Sequence, residues 1–310
     1  MELVRLGSSE LKVTPVCYGS WQLSPRFWGE QPEDTLIAAM RRAFEVGVNF
    51  YDTADAYGDG HSEGVMGKAL KELPRDEIVV ATKVYHHFYE DGHRHGDLSH
   101  DYILEECDAS LKRLQMDYID LYQCHSFDHS TPMEETAEAM EKLLKGGKIR
   151  AYGMSNFTVE QMRLAGKCGN FSTLQPLYNL FERSNEKDVL PYCAAEDIGT
   201  LVYSPLCKGL LTGKYKGDEK FDDFRGRIGM FQGEKFKELA GRVRDLKPVA
   251  DKYGLTITQL VLVTTFQHPL IDVAIVGIKN PAQIEDAAGA LGKEISREDY
   301  YNVRSTLGTA

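Results

Sequence analysis

Short runs of apolar and β-branched residues alternate with longer amphipathic segments along most of this chain. Strands in a buried parallel sheet read as continuous apolar runs, whereas helices place apolar residues every three to four positions. The predicted strands cover residues 13–18, 48–51, 78–82, 119–124, 151–154, 173–177, 200–203 and 273–276. The predicted helices include residues 34–46, 102–114, 133–145 and 159–168, and the segments at 34–46 and 133–145 are each followed by a glycine that can stop a helix.

This alternation, repeated about eight times, predicts an α/β fold with one closed parallel (β/α)8 barrel spanning residues 1–310. Residues 3–6 and 12–14 flank a Gly-Ser-Ser-Glu turn, which predicts a hairpin that covers the barrel floor. The competing fold is an open doubly wound sheet. It is disfavoured because no G-x-G-x-x-G pattern follows the first strand.

One long segment, residues 206–233, interrupts the periodicity and is rich in Gly, Lys, Asp and Arg. Long loops on the C-terminal face of a barrel usually shape or close the active site. We therefore expect this segment to border the site, with a solvated surface excursion as the alternative.

Composition narrows the possible functions. The 310 residues carry a formal net charge of −11, which argues against a nucleic-acid partner because such partners bind basic surfaces. Six scattered cysteines form no C-x-x-C pair and predict reduced thiols. The N-terminus lacks the apolar core of a signal peptide, and no apolar run approaches the ~20 residues of a membrane span. We expect a cytoplasmic protein that does not contact a membrane; the sequence carries no mark of its oligomeric state.

Four groups with proton-transfer chemistry stand at the ends of three successive predicted strands: Asp52, Tyr57, Lys83 and His125. Phenol is a weak acid with a reference pKa near ~10, and a nearby ammonium lowers that pKa. Asp52 can pair with Lys83, and His125 can hydrogen-bond a substrate oxygen or help to move the proton. Taken singly, each of these residues could have an ordinary structural role. Together they predict a site that protonates an oxygen while a hydride reaches the neighbouring carbon.

The chain resembles the aldo-keto reductase superfamily over essentially its whole length. The resemblance is carried by the segments DTADAYG at 52–58, ATK at 81–83, QCH at 123–125, GMSNF at 153–157, LQPLYN at 174–179, YSPL at 203–206 and GLLTGKY at 209–215. It implies a barrel that binds a nicotinamide cofactor without a Rossmann fold. It also implies that Tyr57 is the general acid, supported by Lys83 and Asp52, with His125 near the carbonyl.

The same resemblance implies where the cofactor binds. Ser155, Asn156 and Gln175 match positions that fix the carboxamide, and Tyr203 matches an aromatic that stacks on the ring. N-capping of the helix near Thr158 is the structural alternative for Asn156. The full set of cofactor candidates is Trp21, Asp52, Ser155, Asn156, Gln175, Tyr203, Ser204, Leu206, Gly209, Lys214, Gly277, Lys279, Gln283 and Asp286.

The segment at 276–286 is similar to the family's adenosine-phosphate segment but departs from a common pattern. Gln283 stands where many members have arginine, and Asn280 where related members often carry a basic residue. Lys279 then remains to meet a 2′-phosphate, without the bidentate grip of an arginine. We expect NADP(H), and NAD(H) stays an alternative.

Histidines and aromatic residues cluster after Lys83. His86, His87, His93 and His95, with Glu90 and Asp91, make a metal site conceivable, but their spacing matches no compact ligand motif and we expect none. Tyr85 and His86 instead suggest a wall of the substrate pocket, as does Trp28 on the loop after the first strand.

These observations predict an oxidoreductase that reduces an aldehyde, a ketone or a sugar carbonyl with NAD(P)H. Two alternatives stay open. One is a nicotinamide-binding regulatory or subunit-type protein. The other is a sugar lyase or epimerase that uses the nicotinamide only transiently. Specificity depends on loop shapes, so the sequence does not identify the substrate.

Overall fold

The computed structural model describes residues 3–89 and 93–308, and within them the chain forms twelve strands and twelve α-helices. The strands are β1 (Val4–Arg5), β2 (Lys12–Val13), β3 (Val16–Gly19), β4 (Phe50–Asp52), β5 (Val79–Val84), β6 (His86–Phe88), β7 (Arg94–Gly96), β8 (Ile119–Cys124), β9 (Ile149–Ser155), β10 (Thr173–Gln175), β11 (Gly199–Tyr203) and β12 (Val273–Gly277).

The helices are α1 (Pro25–Trp28), α2 (Glu33–Glu45), α3 (His61–Leu70), α4 (His100–Leu114), α5 (Met133–Lys145), α6 (Val159–Cys168), α7 (Val189–Ala195), α8 (Gly233–Arg244), α9 (Lys247–Lys252), α10 (Ile257–Phe266), α11 (Pro281–Ala288) and α12 (Arg297–Leu307). The two predicted helices at 133–145 and 159–168 are found with the same bounds. No helix within the described residues combines the length and the apolar character that a membrane crossing requires.

Eight of the strands close into a parallel barrel in the order β10-β11-β12-β3-β4-β5-β8-β9. All eight predicted strands contribute to it, so the predicted (β/α)8 fold is confirmed. Several strand bounds differ by one or two residues, and one prediction was wrong in kind: residues 13–18 are not a single strand, since Val13 belongs to β2 and the barrel strand starts at Val16. Pro15 separates the two because it has no N–H to donate to a ladder.

The N-terminal hairpin lies where the sequence predicts it. β1 and β2 pair antiparallel, and Leu6, Leu11 and Val13 pack in one buried cluster with inward-facing strand residues such as Phe50 and Val273. This cluster fills the barrel interior from the floor. A second, larger core lies between the strands and the helices. With the interior filled from below, the chemistry is restricted to the opposite, C-terminal face of the barrel.

Two segments on that face differ from the simple alternation. β6 and β7 pair antiparallel as a second hairpin in the connection after β5, which the sequence did not predict. Residues 206–233, predicted as a long loop, contain three short 3-10 stretches, Cys207–Thr212, Phe224–Arg227 and Gly229–Phe231. Phe221, Phe231 and Phe236 pack against Tyr215 and fix this segment to the body of the barrel.

Candidate active site

The C-terminal ends of the barrel strands surround a cavity of about 670 Å³, within the size range of ligand sites. Asp52 ends β4, Tyr57 lies on the turn after it, and His125 directly follows β8. All three side chains line the cavity. Since parallel strands present their C-terminal ends at one face, three separate stretches of sequence meet here.

Lys83 is the centre of the hydrogen-bond network below this cavity. Its fully buried ammonium donates to Asp52 Oδ1 at 2.7 Å, to the Thr53 carbonyl at 2.7 Å and to the Tyr57 hydroxyl at 3.5 Å. The ion pair with Asp52 compensates the cost of burying the charge. The structure thus brings three of the four predicted catalytic groups into direct contact.

The second oxygen of Asp52 faces a different residue. Gln175 Nε2 donates to Asp52 Oδ2 at 2.9 Å, and both side chains are almost fully buried. The backbone carbonyl of Gln175 in turn accepts from Ser155 Oγ at 3.0 Å. One carboxylate therefore connects the Lys83 and Tyr57 pair to two of the residues expected to hold a cofactor.

The pKa of Tyr57 differs in net direction from the sequence-based expectation. Burial raises the pKa of this phenol, and the opposing effect of Lys83 is too small to bring it below the ordinary value. Burial also lowers the pKa of Lys83, but Asp52 and Tyr57 outweigh it and the pKa ends raised. At neutral pH the site therefore holds a protonated phenol beside a charged ammonium.

The His125 ring packs against the Tyr57 ring, with ring centroids 5.9 Å apart and the planes nearly perpendicular. Burial, and then the positive charge of Lys83, lower the pKa of His125 well below its usual range. Within the described residues its Nδ1 is buried and has no hydrogen-bond partner. The imidazole is thus neutral at pH 7 and is suited to donate a hydrogen bond but not to act as an acid.

Polar side chains at the ends of β9 and β11 form a second group. Asn156 donates to Ser155 Oγ at 3.1 Å and accepts from the Tyr203 hydroxyl at 3.0 Å. Asn156 and Ser204 have positive φ angles of 61° and 57°, which are uncommon for residues other than glycine. Thr158, rather than Asn156, caps α6 through a capping box with Gln161, so the structural alternative for Asn156 was wrong.

The far end of the cavity carries positive charge. Lys214 and Lys279 line it together with Arg225, and burial followed by the charge of Arg225 lowers the pKa of both lysines. Arg225 is held by three side-chain hydrogen bonds to Asp223, at 2.9, 3.1 and 2.6 Å. Cations that neighbour one another in a concave site favour an anionic ligand.

All fourteen residues expected to bind the cofactor line this one cavity: Trp21, Asp52, Ser155, Asn156, Gln175, Tyr203, Ser204, Leu206, Gly209, Lys214, Gly277, Lys279, Gln283 and Asp286. Gln283 accepts from the backbone N–H of Lys279 at 2.8 Å, and Asp286 accepts from the Thr256 hydroxyl at 2.8 Å. These residues therefore lie where a cofactor could contact them, and their roles in binding it stay predictions.

An aromatic wall closes one side of the cavity. Trp21 and Trp28 pack edge to face and both contact Phe224. Lys279 Nζ lies 4.6 Å from the centre of the Trp28 ring. In the described part of the chain, Trp28 Nε1 and Gln22 Oε1 are buried without a hydrogen-bond partner, and both residues line the cavity. Unpaired polar atoms of this kind favour a ligand with donors and acceptors of its own.

The residues present fit a nicotinamide dinucleotide. One end of the cavity offers the amide and hydroxyl groups of Gln175, Asn156 and Ser155, which match a carboxamide. The other end offers ammonium and guanidinium groups, which match phosphates. Gly277 lies so close to Gln22 that an added Cβ would come within 1.9 Å of its amide nitrogen, so the backbone approaches this wall without a side chain.

Sequence reasoning missed three contributors to the site. Arg225 lies in the basic segment 206–233, whose composition was the available signal. Gln22 stands next to Trp21 and had no signal of its own. The Thr53 carbonyl, which accepts from Lys83, is a backbone group that no side-chain motif identifies.

Tyr85 and His86, expected to line the substrate pocket, are not among the lining residues of this cavity, whereas Trp28 is. The His86 ring contacts those of Tyr85 and His125, at centroid distances of 5.0 and 5.5 Å. Burial, and then Arg94, lower the pKa of His86. Glu90 and Asp91, named as conceivable metal ligands, lie outside the described residues.

A family model described as "Aldo/keto reductase family" matches residues 15–307 of the chain. Among curated proteins, the chain is 39% identical over 312 residues to the aldo-keto reductase YhdN of Bacillus subtilis, covering 99% of this chain and 94% of the relative. It is 34% identical to a probable voltage-gated potassium channel subunit beta of Arabidopsis thaliana, covering 92% of this chain and 90% of the relative.

An NADH-specific methylglyoxal reductase of Escherichia coli is 32% identical, with 98% of both chains covered. Among solved structures, the glycerol dehydrogenase AKR11B4 from Gluconobacter oxydans superposes with a TM-score of 0.90. The two chains share 33% identity, and the superposition covers 99% of this chain and 95% of the other.

Proposed function

The chain belongs to the aldo/keto reductase family, and on this premise we propose that it reduces an aldehyde, a ketone or a sugar carbonyl with Tyr57 as the general acid. Membership of the family supports NAD(P)H-dependent carbonyl reduction. The observation that carries the finer assignment is the buried Lys83 ammonium, which donates both to Asp52 and to the Tyr57 hydroxyl at the cavity wall.

Tyr57 has the properties that a proton donor for a developing alkoxide requires. Its raised pKa keeps the phenol protonated in the resting site. As the proton leaves, the phenolate forms 3.5 Å from Lys83 Nζ. At an effective dielectric constant of about 20, that attraction is about 5 kcal/mol. The Asp52 carboxylate opposes it, so the net gain is smaller. Because the attraction arises only when the phenolate forms, it lowers the barrier without stabilising the ground state.

His125 then acts as a neutral hydrogen-bond donor. An imidazole with a lowered pKa carries one N–H, which can donate to the carbonyl oxygen and polarise it. Its ring packs against that of Tyr57 and both side chains line the same cavity, so the two groups can act on one carbonyl oxygen. We assign Tyr57 as the acid and His125 as the orienting donor for this reason.

A bound nicotinamide cofactor supplies the hydride for this chemistry. Asn156, Ser155 and Gln175 would hold its carboxamide, and the Tyr203 ring would pack against the nicotinamide. Lys214, Lys279 and Arg225 would contact its phosphates. Three cations favour NADP(H), although Gln283 replaces the arginine of many relatives and Arg225 is already engaged with Asp223. NAD(H) is therefore the alternative.

Tyr57→Phe tests the proposal. The change removes only the acidic hydroxyl, and general acid catalysis typically contributes about 10²–10⁴-fold. We expect kcat for a panel of small aldehydes and ketones to fall by about that factor, while NADPH and NADH bind almost as before. The readouts are absorbance loss of the reduced cofactor and fluorescence titration of binding.

The matched control is Tyr301→Phe, which removes an exposed hydroxyl outside the cavity lining and should leave turnover unchanged. Retention of full kcat by the Tyr57 variant across the panel would contradict the assignment.

A nicotinamide-binding subunit-type protein is the second candidate, favoured by the similarity to the plant protein named as a probable channel subunit. The same panel separates the two candidates. A protein that binds NADPH but consumes none with any carbonyl would support the subunit function, whereas turnover that depends on Tyr57 supports the reductase.

A further inference from the structure

The hairpin formed by β6 and β7 places three metal-ligating side chains together, outside the cavity. His87 and His95 lie directly opposite each other in the antiparallel register. Directly opposed residues project from the same face of a two-stranded sheet, and a residue two positions further along points the same way. Asp97, two residues after His95, thus completes a set of two imidazoles and one carboxylate.

The ligand atoms of these three residues are already close. His87 Nδ1 lies 2.9 Å from Asp97 Oδ2, and His95 Nε2 lies 3.9 Å from the same oxygen. All three ligand atoms lie within 4.8 Å of one another. Tetrahedral Zn²⁺ with bonds of about 2.0–2.2 Å requires its ligand atoms to lie roughly 3.3–3.5 Å apart. The observed separations of 2.9 and 3.9 Å lie on either side of that spacing.

We propose that His87, His95 and Asp97 form a binding site for one divalent transition-metal ion of the Zn²⁺ class. Imidazole nitrogen and carboxylate oxygen are ligands that Zn²⁺ accepts, and water would complete the coordination. The side chains of His87, His95 and Asp97 are 32%, 45% and 17% exposed, so an ion can enter from solvent.

Neighbouring groups orient two of the three ligands. Tyr102 stacks on the His87 ring with centroids 4.2 Å apart and planes at 9°. The other oxygen of Asp97 accepts from the Ser99 backbone N–H at 2.8 Å. Groups behind the ligands that fix their orientation typically raise metal affinity by about 10–100-fold. The nearby cation Arg94 pairs across the hairpin with Phe88, on the opposite face from His95, which leaves the ligand face without a competing positive charge from β7.

A metal ion bound here would also restrain the hairpin that borders the active site. Side chains alternate between the two faces of a strand, so His86, adjacent to His87, points to the other face, where its ring contacts His125. An ion that joins His87 on β6 to His95 on β7 would cross-link the hairpin that carries His86. We therefore expect bound metal to protect the hairpin amides from hydrogen exchange.

Zn²⁺ titration of tag-free protein tests the proposal, after removal of adventitious metal with a chelator and dialysis. The Cys168→Ser background removes the one cysteine that is not buried. We expect calorimetry to show one high-affinity ion per chain. Co²⁺ should give the visible absorption of a low-symmetry site. His87→Gln and His95→Gln should each weaken Zn²⁺ binding by tenfold or more, and Asp97→Asn should weaken it to a smaller extent.

The matched control is His129→Gln, which alters an exposed histidine that is not one of the three proposed ligands; among the aromatic residues described it contacts only Phe127. It should leave Zn²⁺ affinity unchanged. His95→Gln alters the most exposed of the three ligands, so its thermal unfolding without metal should equal that of the parent, while the rise in Tm caused by Zn²⁺ should be lost.

Two results would overturn the site: no stoichiometric Zn²⁺ binding by the parent protein, or unchanged affinity in the His87→Gln/His95→Gln double variant. The measurement needs neither substrate nor cofactor. Its outcome is therefore independent of whether the chain reduces carbonyls.

Discussion

Replacing Lys83 by methionine separates the structural and the chemical roles of the buried ion pair. The substitution keeps a long apolar stem but removes the ammonium that donates to Asp52, to the Thr53 carbonyl and to Tyr57. Asp52 is only 2% exposed and would keep a single donor, Gln175 Nε2. A carboxylate with so little exposed surface would recover only a small part of this lost interaction from water.

Two magnitudes follow from this geometry. Removing one partner of a buried pair costs about 3–5 kcal/mol of unfolding free energy, out of a total of about 5–15 kcal/mol for a typical protein. Lys83→Met should therefore fold but be strongly destabilised. Loss of the ammonium also removes up to about 5 kcal/mol of phenolate stabilisation, reduced by the opposing Asp52 charge. We expect kcat/KM to fall by about 10²–10³-fold.

The double variant Lys83→Met/Asp52→Asn distinguishes these two effects. With both charges gone, no unpaired charge remains buried, so urea unfolding followed by circular dichroism should show that most of the lost stability returns. Carbonyl reduction should not return, because no ammonium is present. If the single variant is as stable as the double variant, the buried-pair reasoning is wrong. If the double variant regains activity, Lys83 has no chemical role.

Three further predictions follow from other parts of the structure. Arg113 donates to Glu63, whose side chain is fully buried, and to Glu106. Arg113→Ala should therefore lower the unfolding free energy by about 3 kcal/mol in urea titrations, and a loss below about 1 kcal/mol would contradict this. In the proposed role Tyr57 must be protonated, and burial raises its pKa above the ordinary value, so kcat/KM for reduction should stay constant as pH rises and decline only as pH passes that raised pKa. A profile that already declines as pH rises through about 8 would refute the assignment of the acid. Lys279→Ala should weaken NADPH binding by about tenfold and NADH binding by less, measured from the KM of each cofactor. Equal losses for the two cofactors would place Lys279 away from the 2′-phosphate.

The barrel could be predicted because its strands leave a simple trace in the sequence. Segments buried on both faces are continuous apolar runs, and eight such runs with helices between them permit few architectures. The β6 and β7 hairpin left no such trace, since His86, His87 and Arg94 are polar. These two strands lack the apolar run by which the barrel strands were recognised. Residues 206–233 were recognisable as irregular, yet the position of Arg225 in the cavity required the tertiary fold.

The candidate catalytic groups could be named from sequence, but their electrostatics could not. The order of the motifs indicated that Asp52, Tyr57 and Lys83 belong together. The sign of the net pKa shift of Tyr57 depends on how deeply the phenol is buried, and burial is a property of the assembled barrel. For the same reason, His125 was open to a role as proton carrier until its burial beside Lys83 showed that it is neutral at pH 7.

In the proposed function, Asp52 links the proton donor to the residue expected to orient the cofactor. Its Oδ1 accepts from Lys83 and its Oδ2 accepts from Gln175, so the carboxylate fixes the ammonium and the amide at once. A glutamine that donates its NH2 group to Asp52 presents its amide oxygen on the opposite branch, as an acceptor. An acceptor is the group that the NH2 of a nicotinamide carboxamide requires. The charge that positions the proton donor therefore also sets which way Gln175 can face a cofactor. An uncharged partner at position 52 would release both constraints together.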